Sequence, residues 1–298
     1  MIRNSWFIYV SMIGKKQVLE EIEYSSSLKN IVQTYQEVAA SRMQRIRNSV
    51  LASRDFLLGI NTIFQQVKSS YKIGLPETKA NKARKTQKTF FKTNGKTLFV
   101  LISANTGLYG DIIRRAFEVF VRELRNEKTA DVAIIGRVGL RFMREEFPKK
   151  QFAYFELSDN RIDHEGIKKI VPQILQYEKV IVFYEQFQNI IASIPIATSI
   201  SGDILPWEKT GSKIKYIFEP SLEKVMEFFE KEIIATIFEQ VIYESLLAKF
   251  SSRMVAMEEA TENIQNQLKK ATLQKERIKH RELNKKQNER LSSMSLWG

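Results

Sequence analysis

The sequence predicts an α/β protein in which a long antiparallel two-helix coiled coil, formed by the N- and C-terminal helices, carries an inserted α/β domain. Three observations predict it. A heptad pattern of apolar residues runs through residues 39–71. A second begins at Phe250 and fades beyond Ala271. Between them, short and almost wholly apolar runs alternate with amphipathic ones, the texture of a parallel sheet covered on both faces. Six Pro and 12 Gly in 298 residues favour such long uninterrupted elements over a loop-rich all-β fold.

The first helix is expected over about Gln17 to Tyr71. Its seam is Ala39, Met43, Ile46, Val50, Leu57, Ile60, Phe64, Val67 and Tyr71, with Ser53 in the remaining place. Steps of three and four over four repeats mark a coiled-coil helix. At 1.5 Å per residue such a helix is about 80 Å long, too long to pack on one globular core. Gly74, Leu75 and Pro76 stop it. The apolar run Ser5–Ile13 is far below the ~20 residues that span a bilayer. Residues 1–16 are therefore read as an N-terminal extension, with Met12 as an alternative start.

Residues 73–96 read as a basic linker, and 97–220 as a Rossmann-like α/β domain. Strands are expected at Thr97–Ser103, Asp131–Gly136, Phe152–Leu157, Lys179–Tyr184, Ile190–Ile200 and Ile214–Phe218. Helices are expected at Asp111–Glu127, around Leu140–Glu145, and at His164–Tyr177 with Pro172 inside. No helix separates the last two strand candidates, which predicts a hairpin at the sheet edge. The second long helix is expected over 221–292, capped by Ser221, with 293–298 as a tail. Its seam reads Phe250, Met254, Met257, Thr261, Ile264, Leu268 and Ala271, then Lys275, Ile278 and Glu282. Two heptad helices at opposite ends of one chain pair most simply antiparallel.

The net charge of +13 is concentrated in two places. Residues 72–96 hold eight Lys/Arg against one Glu, and residues 264–290 hold nine against three. One stretch is a linker and the other a helix, and neither interleaves basic with aromatic residues on a folded face. The pattern favours an acidic protein or an anionic surface as partner over nucleic acid.

Catalytic chemistry finds little to work with. No Cys is present, which excludes disulfides, zinc-finger clusters and a thiol nucleophile; the two His are His164 and His280. Gly95-Lys96-Thr97 imitates the end of a P-loop, but Phe90 stands where the first glycine belongs and the strand follows it. Gly107-Leu108-Tyr109-Gly110 lies where a dinucleotide turn would, yet it is GxxG and no acidic residue ends the second strand. It reads as a tight structural turn. Asp111, Asp131, Asp163 and Asp203 share no spacing. No catalytic residue, cofactor, metal or small-molecule substrate is expected.

Several short segments resemble the γ subunit of F-type ATP synthases. Val38-Ala39-Ala40-Ser41-Arg42-Met43 is similar to the family's VAASKM helix. Ser103-Ala104-Asn105-Thr106-Gly107-Leu108-Tyr109-Gly110 resembles its S-x-x-x-G-L-C-G turn, with Ser103, Gly107, Leu108 and Gly110 as the matching positions. Ser252-Arg253-Met254-Val255-Ala256-Met257 with Ala260-Thr261-Glu262-Asn263 resembles ARMVAM…ATDN. Phe187-Gln188-Asn189 through Ile194-Pro195, and Tyr216-Ile217-Phe218-Glu219-Pro220, follow in the same order. The likeness covers roughly residues 15–285.

The resemblance implies a non-catalytic rotor shaft that couples ATP synthesis or hydrolysis on an α/β ring to rotation and proton translocation. Implied partners are the α and β subunits, an ε-type subunit and a membrane ring or equivalent output element. The implied location is peripheral, on the cytoplasmic side of the plasma membrane. Contacts to the α/β ring would fall on Tyr35, Arg42, Met43, Arg253, Met254, Lys275 and Arg277. The chain departs from the pattern at Tyr109 and Asp111 in the turn, at Tyr35-Gln36-Glu37, and at Gln274-Lys275-Glu276-Arg277-Ile278. Lys279–Arg290 replaces the family's apolar tip with Lys, Arg, Glu and Asn. A specialised motor with a non-proton output therefore stays open beside the proton-coupled one, and a freestanding coiled-coil adaptor or nucleic-acid-binding protein stays open as a more remote reading.

Overall fold

A computed structural model describes residues 2–73, 93–200, 219 and 221–295. Helix α1 spans Ile2–Ile73 and is followed by β1 (Thr97–Ile102), α2 (Ile112–Asn126), β2 (Asp131–Ile135) and α3 (Arg137–Glu146). Then come β3 (Ala153–Phe155), α4 (His164–Ile174), β4 (Lys179–Phe187), β5 (Ser193–Ser199) and α5 (Leu222–Ser295). The sheet order is β3-β2-β1-β4-β5. The first four strands are parallel, and β5 runs antiparallel beside β4.

Several boundaries move from those expected. Residues 2–16 are helical and continuous with α1, not a separate extension. The first proline is Pro76, and a lone Gly14 costs a helix only about 1 kcal/mol. The third strand shortens to three residues at the sheet edge. The hairpin is made by β4 with β5, from Phe187↔Ser193 to Ile181↔Ser199. The candidate strand 214–218 and linker residues 74–92 lie outside the described residues. The Ser221 cap forms, its hydroxyl accepting from the Lys224 amide at 3.4 Å.

The chain divides into two compact units, residues 39–253 and the paired ends 1–38 with 254–298. In the paired ends the helices run antiparallel: Lys15 meets Glu282 at 2.8 Å, and Gln36 donates to Glu258. Met257, Thr261, Ile264 and Ala271 are buried on the α5 side, as the heptad steps require. On the α1 side the seam continues upstream of Ala39 through Val18, Ile22, Ser25, Lys29, Val32 and Gln36. Half of these positions are polar, so apolar spacing alone did not mark them.

In the unit formed by residues 39–253, alternation along the strands makes two cores. Leu98, Val100, Ile102, Val180 and Val182 point to the face covered by α1, α4 and α5. Phe99, Leu101, Ile134 and Phe183 point to the opposite face, where α2 supplies Phe120 and α3 supplies Met143. The Phe183 ring meets Phe99 and Phe120 edge-on at 5.2 and 5.3 Å. Within this unit α1 and α5 again run antiparallel, with Arg42 over the Phe250 ring and Phe64 against Phe229.

Helix α5 is the centre of that unit. Every residue from Val241 to Phe250 is buried, because α1 covers one side and the sheet the other. An ordinary surface helix is apolar on one stripe, whereas one apolar all round belongs inside. Leu246→Asp should therefore cost about 3–5 kcal/mol, since a charge would lie unpaired in the core. Ile60→Asp, at the α1 seam, should cost less, because Ile60 is 9% exposed against 3% for Leu246. Urea unfolding of both variants checks the order; equal or negligible losses would contradict this packing.

Candidate functional site

In the turn after β1 buried charged and polar side chains converge on the end of the sheet, apart from the pairs Arg115–Glu185 and Tyr184–Glu244 elsewhere in the sheet domain. That turn stands at the carboxyl end of the sheet, where β2 and β3 lie to one side of β1 and β4 and β5 to the other. Open α/β sheets bind their ligands at such a switch point. Here the chain itself fills the position, with one face of α5.

Ser103 builds the floor. Its buried hydroxyl donates to the Ile135 carbonyl at 2.6 Å and accepts from the Gly139 amide at 3.0 Å, tying β1 to β2 and α3. The neighbouring glycines are required. A Cβ on Gly136, where φ is 100°, would meet Ser103 Oγ at 2.7 Å and the Ala104 backbone at 2.9 Å; one on Gly139 would meet Ser103 Oγ at 2.6 Å. Asn105 bridges outward, donating to the Leu157 carbonyl at 2.6 Å and accepting from the Arg137 amide at 3.1 Å.

Asp159 holds the turn's backbone. Its Oδ2 accepts from the amides of Asn105 and Thr106 at 2.7 and 2.9 Å and from the Thr106 hydroxyl at 3.2 Å. Its Oδ1 faces Lys249 Nζ at 3.6 Å, and both side chains are 5% exposed. Lys249 also donates to the Ser103 carbonyl at 2.9 Å. Burial lowers the pKa of Lys249, and Asp159 opposes that shift.

One turn further along α5, Ser252 donates to the Tyr109 carbonyl at 2.7 Å. Arg253 donates to the Thr106 hydroxyl at 3.2 Å and the Gly107 carbonyl at 3.0 Å, and its guanidinium lies 4.0 Å from the Tyr109 ring centre. Burial pushes the Tyr109 phenol up; the Thr106 hydrogen bond acts against this. Gly110 has φ 60°, and its missing Cβ leaves room for Ser252 Oγ. Leu108 also has positive φ, 68°, and its side chain is exposed. Residues 249, 252 and 253 share one helix face by their spacing.

The structure thus brings Ser103, Gly107, Leu108, Gly110 and Arg253 together, with Arg42 close enough to act on the Tyr109 phenol. Arg253, expected to face the α/β ring, is 6% exposed and bonded within the chain. Arg42 is half-buried, donating to Asn160, and Met43 packs against the core. Met254 is half-buried. Tyr35, Lys275 and Arg277 are exposed. Sequence reasoning missed Lys249, Asp159, Asn105, Thr106 and Ser252. One signal was readable: a lysine inside the otherwise apolar run Leu246-Leu247-Ala248-Lys249-Phe250.

A second concavity, about 560 Å³, lies between α2 and α3 and is lined by Arg114, Phe117, Arg122, Phe142 and Glu145 among others. It is open and brings together no acid–base pair with a common target. Among the described residues no cluster of His, Asp and Glu could hold a metal ion. His164 opens α4 at the surface: Asp163 caps the helix by accepting from the Gly166 amide, and the His164 ring meets Glu239 at 2.9 Å.

Two outcomes are expected here. Gly136→Ala should cost about 2 kcal/mol or more, from strain at positive φ and the short contact with Ser103, read as a lower midpoint in urea. The second concerns pH. Lys249 is a base whose native pKa lies below its ordinary 10.5, so the unfolded chain binds its proton more tightly. Its contribution is therefore full above 10.5 and lost as pH falls through the window beneath it. Relative to Lys249→Met, the parent should gain stability as pH rises toward 10.5. A flat difference across that window would contradict the buried, charge-disfavouring setting.

Comparison with known proteins returns one family throughout. Residues 15–284 match the family model described as ATP synthase. The chain is 25% identical over 296 residues to the ATP synthase gamma chain of Pelotomaculum thermopropionicum, covering 93% of this chain and 97% of that one. It is 24% identical over 270 residues to the ATP synthase gamma chain of Polynucleobacter necessarius, covering 86% and 89%. Among solved structures it is similar to a chain of the central stalk and c-ring of the Tetrahymena thermophila mitochondrial ATP synthase. That match has a TM-score of 0.58 and 20% identity, and covers 77% of this chain and 99% of that one.

Proposed function

The chain belongs to the ATP synthase family, and on that premise we propose that it is the γ-type central shaft of a rotary ATPase. It carries rotation between an α/β catalytic ring and an output element, and performs no chemistry itself. The observation that carries this reading is the filled switch point. An α/β domain whose ligand crevice is occupied by Lys249, Ser252 and Arg253 has given up its usual binding role for a fixed join to a long helix.

The physical demands of a shaft fit this chain. Torsional stiffness comes from paired long helices with a heptad seam. An asymmetric surface comes from exposed side chains that differ around the pair: Tyr24, Ile31 and Tyr35 on α1, Lys275 and Arg277 on α5. The ring-facing residues proposed are Tyr35, Lys275 and Arg277. Arg277 offers a planar fork for a carboxylate of the ring. An ε-type subunit and a membrane ring or equivalent are the proposed partners at the α/β domain. Among the described residues no helix is long and apolar enough to cross a membrane. Attachment to the membrane, on its cytoplasmic side, would then be peripheral and through those partners.

The test is co-purification. Affinity-tagged chain should bring down P-loop-bearing α and β subunits, and the isolated chain should neither bind nor hydrolyse ATP. A tagged chain that emerges alone, or with nucleic acid, would overturn the shaft reading. For the charged tip, removing residues 279–298 should weaken the salt dependence of ATPase activity in the complex. Partly exposed ion pairs contribute only about 0.2–1 kcal/mol each, so the rate itself should fall a few-fold at most.

A further inference from the structure

We infer that Lys249 and Arg253, with Asp159 between turn and helix, form a torsional clamp that fixes the rotation of α5 to the α/β domain. The inference rests on the shaft reading above and names the residues that would transmit its torque.

Apolar packing holds α5 in place but is non-directional. Interdigitated side chains resist a turn of the helix by shape alone, so that thinning them softens the join only gradually. Hydrogen bonds made at the rim of the helix, about 5 Å from its axis, are directional and resist that turn. The 249–253 turn of α5 carries a concentrated set of such bonds. Lys249 reaches the Ser103 carbonyl at 2.9 Å and Asp159 at 3.6 Å. Ser252 reaches the Tyr109 carbonyl at 2.7 Å, and Arg253 the Gly107 carbonyl at 3.0 Å. On another side Ser251 donates to the Ile190 carbonyl in the β4–β5 hairpin. The receiving turn is itself rigid, because Asp159 takes its two amides and Ser103 locks it to β2 and α3. A buried charge is a poor choice for stability alone, since an apolar residue of the same volume often does as well. Its use here fits a demand for direction.

The experiment uses the assembled complex. The chain has no Cys, so Asn126→Cys gives one attachment point on the exposed end of α2 for a bead. The head is fixed to a surface, rotation under ATP is recorded, and the angular variance of the bead is then measured with the motor stalled. Two variants are compared with the parent. Lys249→Met/Asp159→Asn removes both charges while keeping an acceptor for the turn amides. Arg253→Lys keeps charge but loses the fork. A core-thinning control, Ile134→Val on the opposite face of the sheet, supplies a loss of melting temperature without touching the clamp. The clamp variants should raise the angular variance about two-fold or more, because a close-packed join transmits strain and its loss adds compliance in series. Their unloaded ATPase rate should stay near the parent's, and the control should not change the variance. Unchanged variance in the clamp variants overturns the inference, as does equal softening by Ile134→Val. Should the double variant fail to assemble, Arg253→Lys alone decides. A parent complex that hydrolyses ATP without turning the bead would instead overturn the shaft reading.

Discussion

Everything in the sheet-bearing unit depends on the burial of α5 between α1 and the sheet. Ten consecutive residues, Val241 to Phe250, are inaccessible on every side. That arrangement makes a long helix part of a globular core and not an appendage to it. It also explains why α1 and the sheet share one hydrophobic cluster, with Ile46, Val50 and Phe64 joined through α5 to Val100 and Val182. Removing α5 would expose apolar surface on both neighbours at once. The cost of ordering so long a helix is met by packing and not by helix propensity, since isolated helices are marginal in water.

The same burial decides what the α/β domain can do. Its topology, parallel strands with a switch point beside β1, is a common site for nucleotides and other small ligands. The glycines that elsewhere admit a phosphate serve another purpose here. Gly136 and Gly139 make room for Ser103, and Gly110 for Ser252. Backbone carbonyls of residues 103, 107 and 109 face the cations and hydroxyls of α5. With the crevice full, the fold alone says nothing of ligand chemistry.

Much of the architecture was legible in the sequence, for physical reasons. Apolar periodicity is a direct consequence of burial, so the seams from Ala39 to Phe64 and from Phe250 to Ala271 appear on the helices where the heptads put them. Continuous apolar runs marked the inner parallel strands β2, β1 and β4, because both faces of the sheet are covered there, whereas the edge strand β3 is largely exposed. The helical course of residues 2–16 was not legible, since its apolar run resembles several other things. The polar part of the α1 seam, Ser25, Lys29 and Gln36, gives no periodic apolar signal. At the join, sequence singled out the turn and Arg253 but assigned Arg253 outward. Lys249 and Asp159 are 90 residues apart, and only the fold brings their charges within 4 Å.

Two stretches of α5, one mid-helix and one toward its C-terminus, use the same residue types under opposite physics. At 249–253 a lysine and an arginine are enclosed, their partners are fixed, and the low local dielectric makes each bond strong and each loss expensive. From Lys275 to Arg290 the side chains stand mostly in solvent, where a charge is screened within about 10 Å and interacts weakly with any one partner. Charges of the first kind hold a geometry. Charges of the second kind attract and orient a partner that moves past them. A shaft needs a rigid attachment to its own domain and a compliant contact with what surrounds it. The contrast between an enclosed pair and an open basic helix supplies both on one continuous element, without any change in the kind of residue used.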